Sequence, residues 1–221
     1  MKPYYQDEYC TIYHGDCRDI LPTLDPVDLV LTDPPYGLNS WSSTGGHSLK
    51  AEEVALISKW DSSRPSVDTI RICISKGKTW IVWGANYFAD ILGACKTPLF
   101  WDKDVPNGMH FADGELAFTN FKNGSLSVFR LPVSRADYKG SRLHPTQKPV
   151  SLMKWCIQKT DHLLKCQQQT VLDPFMGSGT TLRASKDLNR KAIGIELEEK
   201  YCEIAVKRLS QEVFNFKKEV A

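Results

Sequence analysis

Short runs of apolar and β-branched residues recur along the chain, and each run ends at a loop or a polar segment. The runs lie at residues 11–14, 27–32, 79–83, 99–101, 116–119, 170–172 and 192–195. They lack the strict alternation of apolar and polar residues that is typical of a strand with one face in water. They therefore predict strands that are buried on both faces.

Apolar residues at helical spacing predict helices among these strands. One helix is expected at Pro149, which suits the first helical position, and a second over residues 180–188 with its end near Asn189. A third carries an apolar stripe from Tyr201 to Phe216. The alternation of strands and helices is typical of an open, largely parallel α/β sheet. Because ligands bind such sheets at the carboxyl ends of the strands, the residues that follow each strand are the functional candidates.

The first candidate is the segment Asp33, Pro34, Pro35 and Tyr36, which directly follows the run at 27–32. The two prolines lack backbone donors, so the turn offers acceptors only, and Asp33 adds a carboxylate. Such acceptors suit an exocyclic amino group on a heterocyclic base, because they favour the positive charge that develops when its nitrogen attacks. Tyr36 adds a face on which a flat base can stack. A rigid turn without a chemical role is the alternative.

The second candidate is a strand, a glycine-rich turn and a helix start at residues 171–181. Gly177 and Gly179 let a ligand approach the backbone, and the free N–H groups at the helix start suit an anionic group. A dinucleotide, another nucleoside ligand and a plain tight turn all fit these two glycines. Glu196 ends the next strand about 20 residues later, where an acid typically accepts ribose hydroxyls, and this favours a nucleoside ligand.

These segments together resemble the amino-methyltransferases that modify DNA. Asp-Pro-Pro-Tyr at 33–36 comes before Asp-Pro-Phe-Met-Gly-Ser-Gly-Thr at 173–180, which is the order found in the permuted β group of that family. His-Pro-Thr-Gln-Lys-Pro at 144–149 and Gly-Asp-Cys at 15–17 are also similar to that group. The resemblance implies one methyltransferase domain over 1–221 with a Rossmann-like, seven-stranded sheet, mostly parallel with one antiparallel strand.

The resemblance also implies the cofactor S-adenosylmethionine, the substrate DNA and a role for each matching residue. Asp33 and the Pro34 carbonyl are expected to bind the target amino group, with Pro35 completing the turn and Tyr36 stacking on the extruded base. The cofactor-binding residues that it implies are Asp16, Cys17, Asp33, Thr146, Lys148, Asp173, Phe175, Gly177, Ser178, Gly179, Thr180 and Glu196.

Four of these residues have a specific expected partner on the cofactor. Glu196 is expected to accept the ribose hydroxyls, and Asp16 is expected to accept from the adenine amino group. Thr146 and Lys148 are expected near the cofactor carboxylate. No metal is expected, since no ligand cluster has suitable spacing.

Several substrates and functions compete at this stage. Asp33 at the first motif position favours the N6 amino group of adenine, whereas the cytosine-N4 subgroup usually begins the motif with Ser. RNA and protein glutamine are further acceptors, and the latter usually goes with Asn. A DNA-binding module with a decayed cofactor site is a candidate from a different class. A dehydrogenase fits the fold but has no use for Asp-Pro-Pro-Tyr.

Charge along the chain is uneven although the net charge is only +2. Residues 1–35 carry seven acids and two bases, and residues 120–160 carry eight bases and one acid. The basic stretch suits a polyanion such as DNA, and a solvated basic surface is an equal alternative. The bases expected to contact DNA are Lys122, Arg130, Arg135, Lys139 and Arg142.

The segment expected to recognise the target, residues 120–143, has only 24 residues. It also contains the aromatic residues Phe121, Phe129 and Tyr138, which suit contact with bases. Its shortness indicates relaxed specificity, a short target, or help from a second subunit in a homodimer. Residues 37–66 are predicted to be either a loop near the site or an ordinary surface excursion.

Composition and cysteine usage place the chain in a broad class. A hydrophobic fraction of 42% and a charged fraction of 24% are typical of a globular protein. No apolar run approaches the ~20 residues needed to span a bilayer, and the N-terminus lacks the apolar core of a signal peptide. The seven scattered cysteines favour reduced thiols. We therefore expect a cytoplasmic protein.

Overall fold

A computed structural model describes residues 2–38, 63–106, 112–122, 124–132, 147–164 and 169–211. Within these ranges, nine strands form one sheet in the order β1-β2-β9-β8-β3-β4-β6-β5-β7. The strands are β1 Tyr5–Gln6, β2 Cys10–His14, β3 Val27–Thr32, β4 Gly77–Trp83, β5 Leu99–Asp102, β6 Gly114–Thr119, β7 Ser127–Arg130, β8 Thr170–Asp173 and β9 Lys191–Glu196.

The seven central strands of the sheet, from β2 to β5, match the expected sheet. All of them run parallel except β6, which is antiparallel to its neighbours β4 and β5. Two short strands extend this sheet beyond the expectation, because β1 pairs antiparallel with β2 and β7 pairs parallel with β5. The predicted α/β class with a mostly parallel sheet is confirmed.

Helices lie between the strands, and most of them cross over the faces of the sheet. The α-helices are α1 Cys17–Ile20, α2 Val67–Ser75, α3 Ala89–Leu92, α4 Val150–Leu164, α5 Thr180–Asp187 and α6 Glu199–Ser210, and 3-10 helices cover Leu21–Thr23 and Ala85–Tyr87. None of the helices in the described ranges is long and apolar enough to cross a membrane.

The three helix predictions hold with small shifts. Helix α4 begins one residue after Pro149, whose carbonyl accepts a hydrogen bond from the Met153 N–H at 3.2 Å. Helix α5 is followed by Asn189 with a φ of 56°, the left-handed conformation that commonly closes a helix. Helix α6 is described as far as Ser210, and the rest of its predicted stripe to Phe216 lies outside the described residues.

Both faces of the sheet are buried, as the patterning predicts. On β3, Leu29 and Leu31 point into one hydrophobic cluster, and Val30 between them points into a second cluster on the other face. Residues of α4, α5 and α6 cover the first face, and residues of α1 and α2 cover the second. The fold therefore has three layers.

The strands that carry the two candidate motifs are neighbours at the centre of the sheet. Strands β3 and β8 pair in parallel, with Leu29 opposite Val171 and Val30 opposite Leu172. The turns that follow them therefore leave the same edge of the sheet side by side. This adjacency brings segments 33–36 and 173–180 together although about 140 residues separate them in the chain.

Candidate active site

Asp173 connects the two central strands at the base of the site. It is 4% exposed, and its Oδ1 accepts hydrogen bonds from the Thr32 hydroxyl at 2.8 Å and the Phe175 N–H at 3.1 Å. Burial raises the pKa of Asp173 to about 6, against the hydrogen bonds that it accepts. Asp173 thus holds the start of the glycine turn against the end of β3.

The two glycines of the turn are needed for different reasons. Gly177 has a φ of +50°, and a Cβ added there would meet nothing within 4 Å, so it leaves open space above the turn. Gly179 has a φ of +77°, and a Cβ there would lie 2.8 Å from the Cβ of Ala205 on α6. Gly177 keeps room for a ligand, whereas Gly179 lets the start of α5 approach α6.

Glu196 lies at the end of β9, beside the glycine turn. It is 5% exposed, and its two carboxylate oxygens accept from the Gly177 N–H at 2.9 Å and the Glu198 N–H at 2.8 Å. Burial raises the pKa of Glu196 to about 7, against these backbone hydrogen bonds. The carboxylate expected to hold a ribose therefore also holds the turn on which the cofactor is expected to bind.

Asp16 and Cys17 follow β2 at the same edge of the sheet. Asp16 caps α1 through the Arg18 N–H at 2.8 Å, and its carboxylate pairs with the exposed Arg18 guanidinium, which lowers the pKa of Asp16. Cys17 is 7% exposed, and its side chain packs in the second hydrophobic cluster with Cys73. The Cys17 side chain is therefore part of the hydrophobic core. Thr146, another residue expected to bind the cofactor, lies outside the described residues.

Asp33 and Tyr36 form one hydrogen-bonded unit. The Tyr36 hydroxyl donates to Asp33 Oδ1 at 2.5 Å, and the Tyr36 ring stacks on Tyr87 with centroids 4.7 Å apart. Burial raises the pKa of Asp33, although the Lys148 ammonium acts to lower it. Burial and the neighbouring Asp33 carboxylate raise the pKa of Tyr36 well above its ordinary value. The ring lies against Gly84, where an added Cβ would come within 2.0 Å of it. Gly84, which sequence reasoning missed, makes room for Tyr36.

Lys148 lies at Asp33. It is 5% exposed, and its ammonium contacts Asp33 Oδ2 at 2.5 Å, Glu115 Oε2 at 2.8 Å and the Tyr36 hydroxyl oxygen at 3.3 Å. Burial acts to lower the pKa of Lys148, but the Asp33 and Glu115 carboxylates outweigh it and raise that pKa above its ordinary value. The eight bases at 120–160 thus include one that is buried and paired, so the charge this stretch offers to a polyanion is smaller than the sequence indicates.

Glu115 on β6 is a site residue that the sequence analysis missed. Besides Lys148, it pairs with Lys103 at 2.7 Å. Burial acts to raise the pKa of Glu115, and the two ammonium groups outweigh it and lower the pKa to about 2. A single acid in a strand that follows a turn gives no local signal, because its role depends on a lysine 33 residues away in the chain.

One cleft contains seven of the twelve predicted cofactor-binding residues. The cleft is open to solvent. The residues that line it are Asp33, Gln147, Lys148, Met153, Asp173, Phe175, Met176, Gly177, Ser178, Thr180 and Thr181. The open space above Gly177 and the adjacent buried Glu196 carboxylate fit a nucleoside cofactor. The cleft thus joins the glycine turn to Asp33.

The structure describes only two of the five bases expected to contact DNA. Lys122 is exposed, and Arg130 is exposed but pairs with Asp102 through its Nε at 2.8 Å. Arg135, Lys139 and Arg142 lie outside the described residues. Two aromatic residues of the same segment pack within the protein: Phe121 is 7% exposed, and the Phe129 ring packs on Trp155 with centroids 5.4 Å apart. Their expected contact with bases is therefore not supported.

Comparison with known proteins identifies the class. A family model described as DNA methylase, of the N6/N4 type, matches residues 74–207. A Type II methyltransferase of Lactococcus lactis subsp. cremoris, M2.LlaDCHI, is 26% identical over 95% of this chain and 93% of its own. The Type II methyltransferase M.HinfI of Haemophilus influenzae is 27% identical over 96% of this chain and 71% of its own.

A solved structure agrees with these relatives. The M1.HpyAVI–SAM complex is 26% identical, covers 90% of this chain and 99% of its own, and superimposes with a TM-score of 0.57. The chain belongs to the DNA methylase family, so the expected DNA amino-methyltransferase is confirmed, as an enzyme of the N6/N4 class. Within the described residues, no group of three or more His, Cys, Asp or Glu side chains could hold a metal ion.

Proposed function

We propose that this chain transfers a methyl group from S-adenosylmethionine to the exocyclic N6 amino group of adenine in DNA. The observation that carries the proposal is the cleft that joins the glycine turn to Asp33, because methyl transfer needs donor and acceptor next to each other. The SAM complex of the similar methyltransferase M1.HpyAVI supports the choice of cofactor.

The residues around the glycine turn suit the cofactor. Gly177 leaves room above the turn, and the Glu196 carboxylate is placed to accept ribose hydroxyls. Phe175, Ser178 and Thr180 line the same cleft. S-adenosylmethionine, when bound, supplies an electrophilic methyl group on a positively charged sulfur.

The residues around Asp33 suit the target base. An amino group in a duplex is hydrogen-bonded to its partner, so the base must first leave the stack, at a cost of a few kcal/mol. Asp33 and the Pro34 carbonyl then accept from the two amino hydrogens and stabilise the positive charge that develops on the nitrogen. The raised pKa of Asp33 allows its carboxylate to take up the proton that the methylated nitrogen releases.

The acid at the first position of the motif supports adenine over cytosine. In the family pattern that this chain resembles, the cytosine-N4 enzymes usually begin the motif with Ser, whereas residue 33 is Asp. Methylation of cytosine N4 is the second candidate, and it uses the same acceptors with a different base.

Sequencing of DNA from cells that express the wild type or Asp33→Ala, with detection of modified bases, tests the proposal. We expect N6-methyladenine at a defined sequence with the wild type and background levels with the variant. N4-methylcytosine instead would contradict the base assignment alone. Unmodified DNA from cells with soluble wild-type protein would contradict the proposed activity.

We propose further that DNA recognition uses residues 120–143 within a single methyltransferase domain, and that a homodimer supplies additional contacts. The shortness of the segment supports this, because β7 occupies part of it and leaves still fewer residues for bases. Size-exclusion chromatography with light scattering tests the homodimer. A mass near 50 kDa is expected for two 25.0 kDa chains, and a mass near 25 kDa with full activity would contradict it.

A further inference from the structure

The ammonium group of Lys148 has the partners that a target amino group requires. It contacts the Asp33 carboxylate and the Tyr36 hydroxyl, and it lies 5.8 Å from the centre of the Tyr36 ring. The Asp33 carboxylate, which is proposed to accept one amino hydrogen of the base, has the Tyr36 hydroxyl on Oδ1 and the Lys148 ammonium on Oδ2. A base amino group that binds at Oδ2 therefore has to displace the Lys148 ammonium.

Electrostatics gives a second reason for this displacement. The amino nitrogen becomes positively charged as it is methylated, and a neighbouring ammonium disfavours that charge. Lys148 cannot become neutral easily, since two carboxylates raise its pKa above the ordinary value. It must instead move away from Asp33 while keeping a partner, because a buried charge without a partner is costly.

Glu115 provides the second partner. Its Oε2 already lies 2.8 Å from the Lys148 nitrogen, and its other oxygen pairs with Lys103. The lysine can therefore stay paired with Glu115 when it leaves Asp33. Four charges thus share the site: the carboxylates of Asp33 and Glu115, and the ammonium groups of Lys148 and Lys103.

We infer that Lys148 occupies the amino-group position of the target base and that Glu115 is the positioning residue that draws Lys148 away when the base arrives. This inference rests on the proposed methyltransferase function and extends it. It predicts that Glu115 controls how often a bound DNA becomes a productive complex. It also predicts that Glu115 has no part in holding the cofactor.

Replacement of Glu115 by Gln tests the inference, because kcat should change while the dissociation constants for DNA and cofactor should not. In Glu115→Gln, Lys148 keeps only Asp33 as a carboxylate partner, so we expect kcat to fall about tenfold or more. The dissociation constants for DNA and cofactor, measured by fluorescence anisotropy and calorimetry, should stay close to those of the wild type. An unchanged kcat would overturn the inference.

The double variant Glu115→Gln/Lys148→Gln separates displacement from a merely structural role. With no lysine to displace, kcat should recover relative to Glu115→Gln, measured with saturating cofactor. If Glu115 only supported the fold, the double variant would be no faster than the single variant, and that result would overturn the inference. Asp161→Asn is the matched control, because Asp161 on α4 pairs with Arg190, which directly precedes β9, and neither residue contacts Lys148 or Glu115. It should lower the melting temperature without changing kcat.

Lys103→Met gives a test that does not depend on the folding of the Glu115 variants. Lys103 competes for Glu115, and its ammonium lies 5.0 Å from the Trp101 ring centre, where Met keeps the packing. Without the Lys103 ammonium, the Glu115 carboxylate attracts Lys148 alone and more strongly, so kcat should equal or exceed that of the wild type. A lower kcat in folded Lys103→Met would overturn the inference. Absence of DNA methylation by the wild type would contradict the proposed function itself, so the two failures are distinguishable.

Discussion

Asp33 combines two tasks at the scale of the single residue. Its carboxylate is the proposed acceptor for the target amino group, and it also neutralises the buried Lys148 ammonium. Removal of one partner of a buried ion pair usually destabilises a protein strongly, but Glu115 remains as a second carboxylate for Lys148. The chemical role of Asp33 is therefore separable from its structural one.

Asp33→Ala should lower the rate of methyl transfer by about 10²–10³-fold, because one preorganised polar group is lost at the reacting nitrogen. Transfer of a radioactive methyl group to DNA measures this rate. Asp90→Ala is the matched control, since Asp90 also pairs with a basic side chain, that of Arg64, but lies on the surface at α3. Full activity of folded Asp33→Ala would mean that Asp-Pro-Pro-Tyr is only a rigid turn.

Tyr36→Phe should be milder than Tyr36→Ala. Phe keeps the ring that stacks on Tyr87 and loses the hydroxyl that donates to Asp33, a bond to a charged acceptor whose loss corresponds to about a tenfold change in rate. Ala loses both features and should also weaken base capture. Kinetics of both variants at saturating cofactor check this order. Equal losses would show that the hydroxyl, and not the ring, matters.

Cofactor affinity should depend on pH through Glu196. The raised pKa of about 7 means that Glu196 is largely protonated below this pH, whereas acceptance of ribose hydroxyls favours the ionised form. Binding must then release a proton, so affinity should fall about tenfold per pH unit below pH 7 and level off above it. Calorimetry from pH 5.5 to 8.5 measures the trend. Affinity that is flat over this range would exclude the proposed ribose contact.

At the scale of the secondary-structure element, the glycine turn is the feature that shapes the proposed cofactor site. It connects β8 to α5, and its backbone N–H groups donate hydrogen bonds to the carboxylates of Asp173 and Glu196. The two glycines have different constraints, so a substitution that tests ligand space must avoid the close approach at Gly179. Gly177 meets this requirement, since a Cβ there has open space.

Gly177→Asn should abolish or greatly weaken cofactor binding while the fold is retained. Asn tolerates a positive φ better than most residues, and its side chain would fill the space above the turn. Gly124→Asn is a matched control, because Gly124 also has a positive φ and open space but lies outside the cleft. Thermal shift with S-adenosylmethionine should be lost in the first variant only. A normal shift with Gly177→Asn would remove the turn from the cofactor site.

DNA binding is a property of the whole molecule. Each phosphate contact contributes about 0.9 to the slope of log affinity against log salt. Arg135→Gln/Arg142→Gln should therefore reduce the slope by about two units, provided that both arginines contact phosphate, while cofactor affinity is unchanged. Arg71→Gln, at an exposed position on α2, is the control. A slope equal to that of the wild type would exclude Arg135 and Arg142 from the phosphate contacts.

Local patterns along the chain determined most of the fold and the identity of the motifs. Strand β3 and helix α5 follow from apolar runs, glycines and an Asn at the helix end, all of which act within a few residues. Helix α2 shows the limit of this reasoning: its cap, the Ser66 hydroxyl that accepts from the Thr69 N–H, is a signal that the sequence analysis did not use. The edge strands β1 and β7 were missed because β1 has only two residues and β7 has only two apolar residues between a serine and an arginine.

The tertiary structure alone decided how the site is completed. Lys148 lies 115 residues from Asp33 along the chain, and their contact depends on where β3 ends relative to the segment before α4. Glu115 reaches the same place from an antiparallel strand, Arg130 is drawn to Asp102 by the pairing of β7 with β5, and Phe121 is buried. The chemistry of each motif depends on residues that are neighbours in the chain, so it can be predicted from the sequence. The partners that set the charge and the access of those motifs come from distant segments, and only the packing of the sheet brings them together.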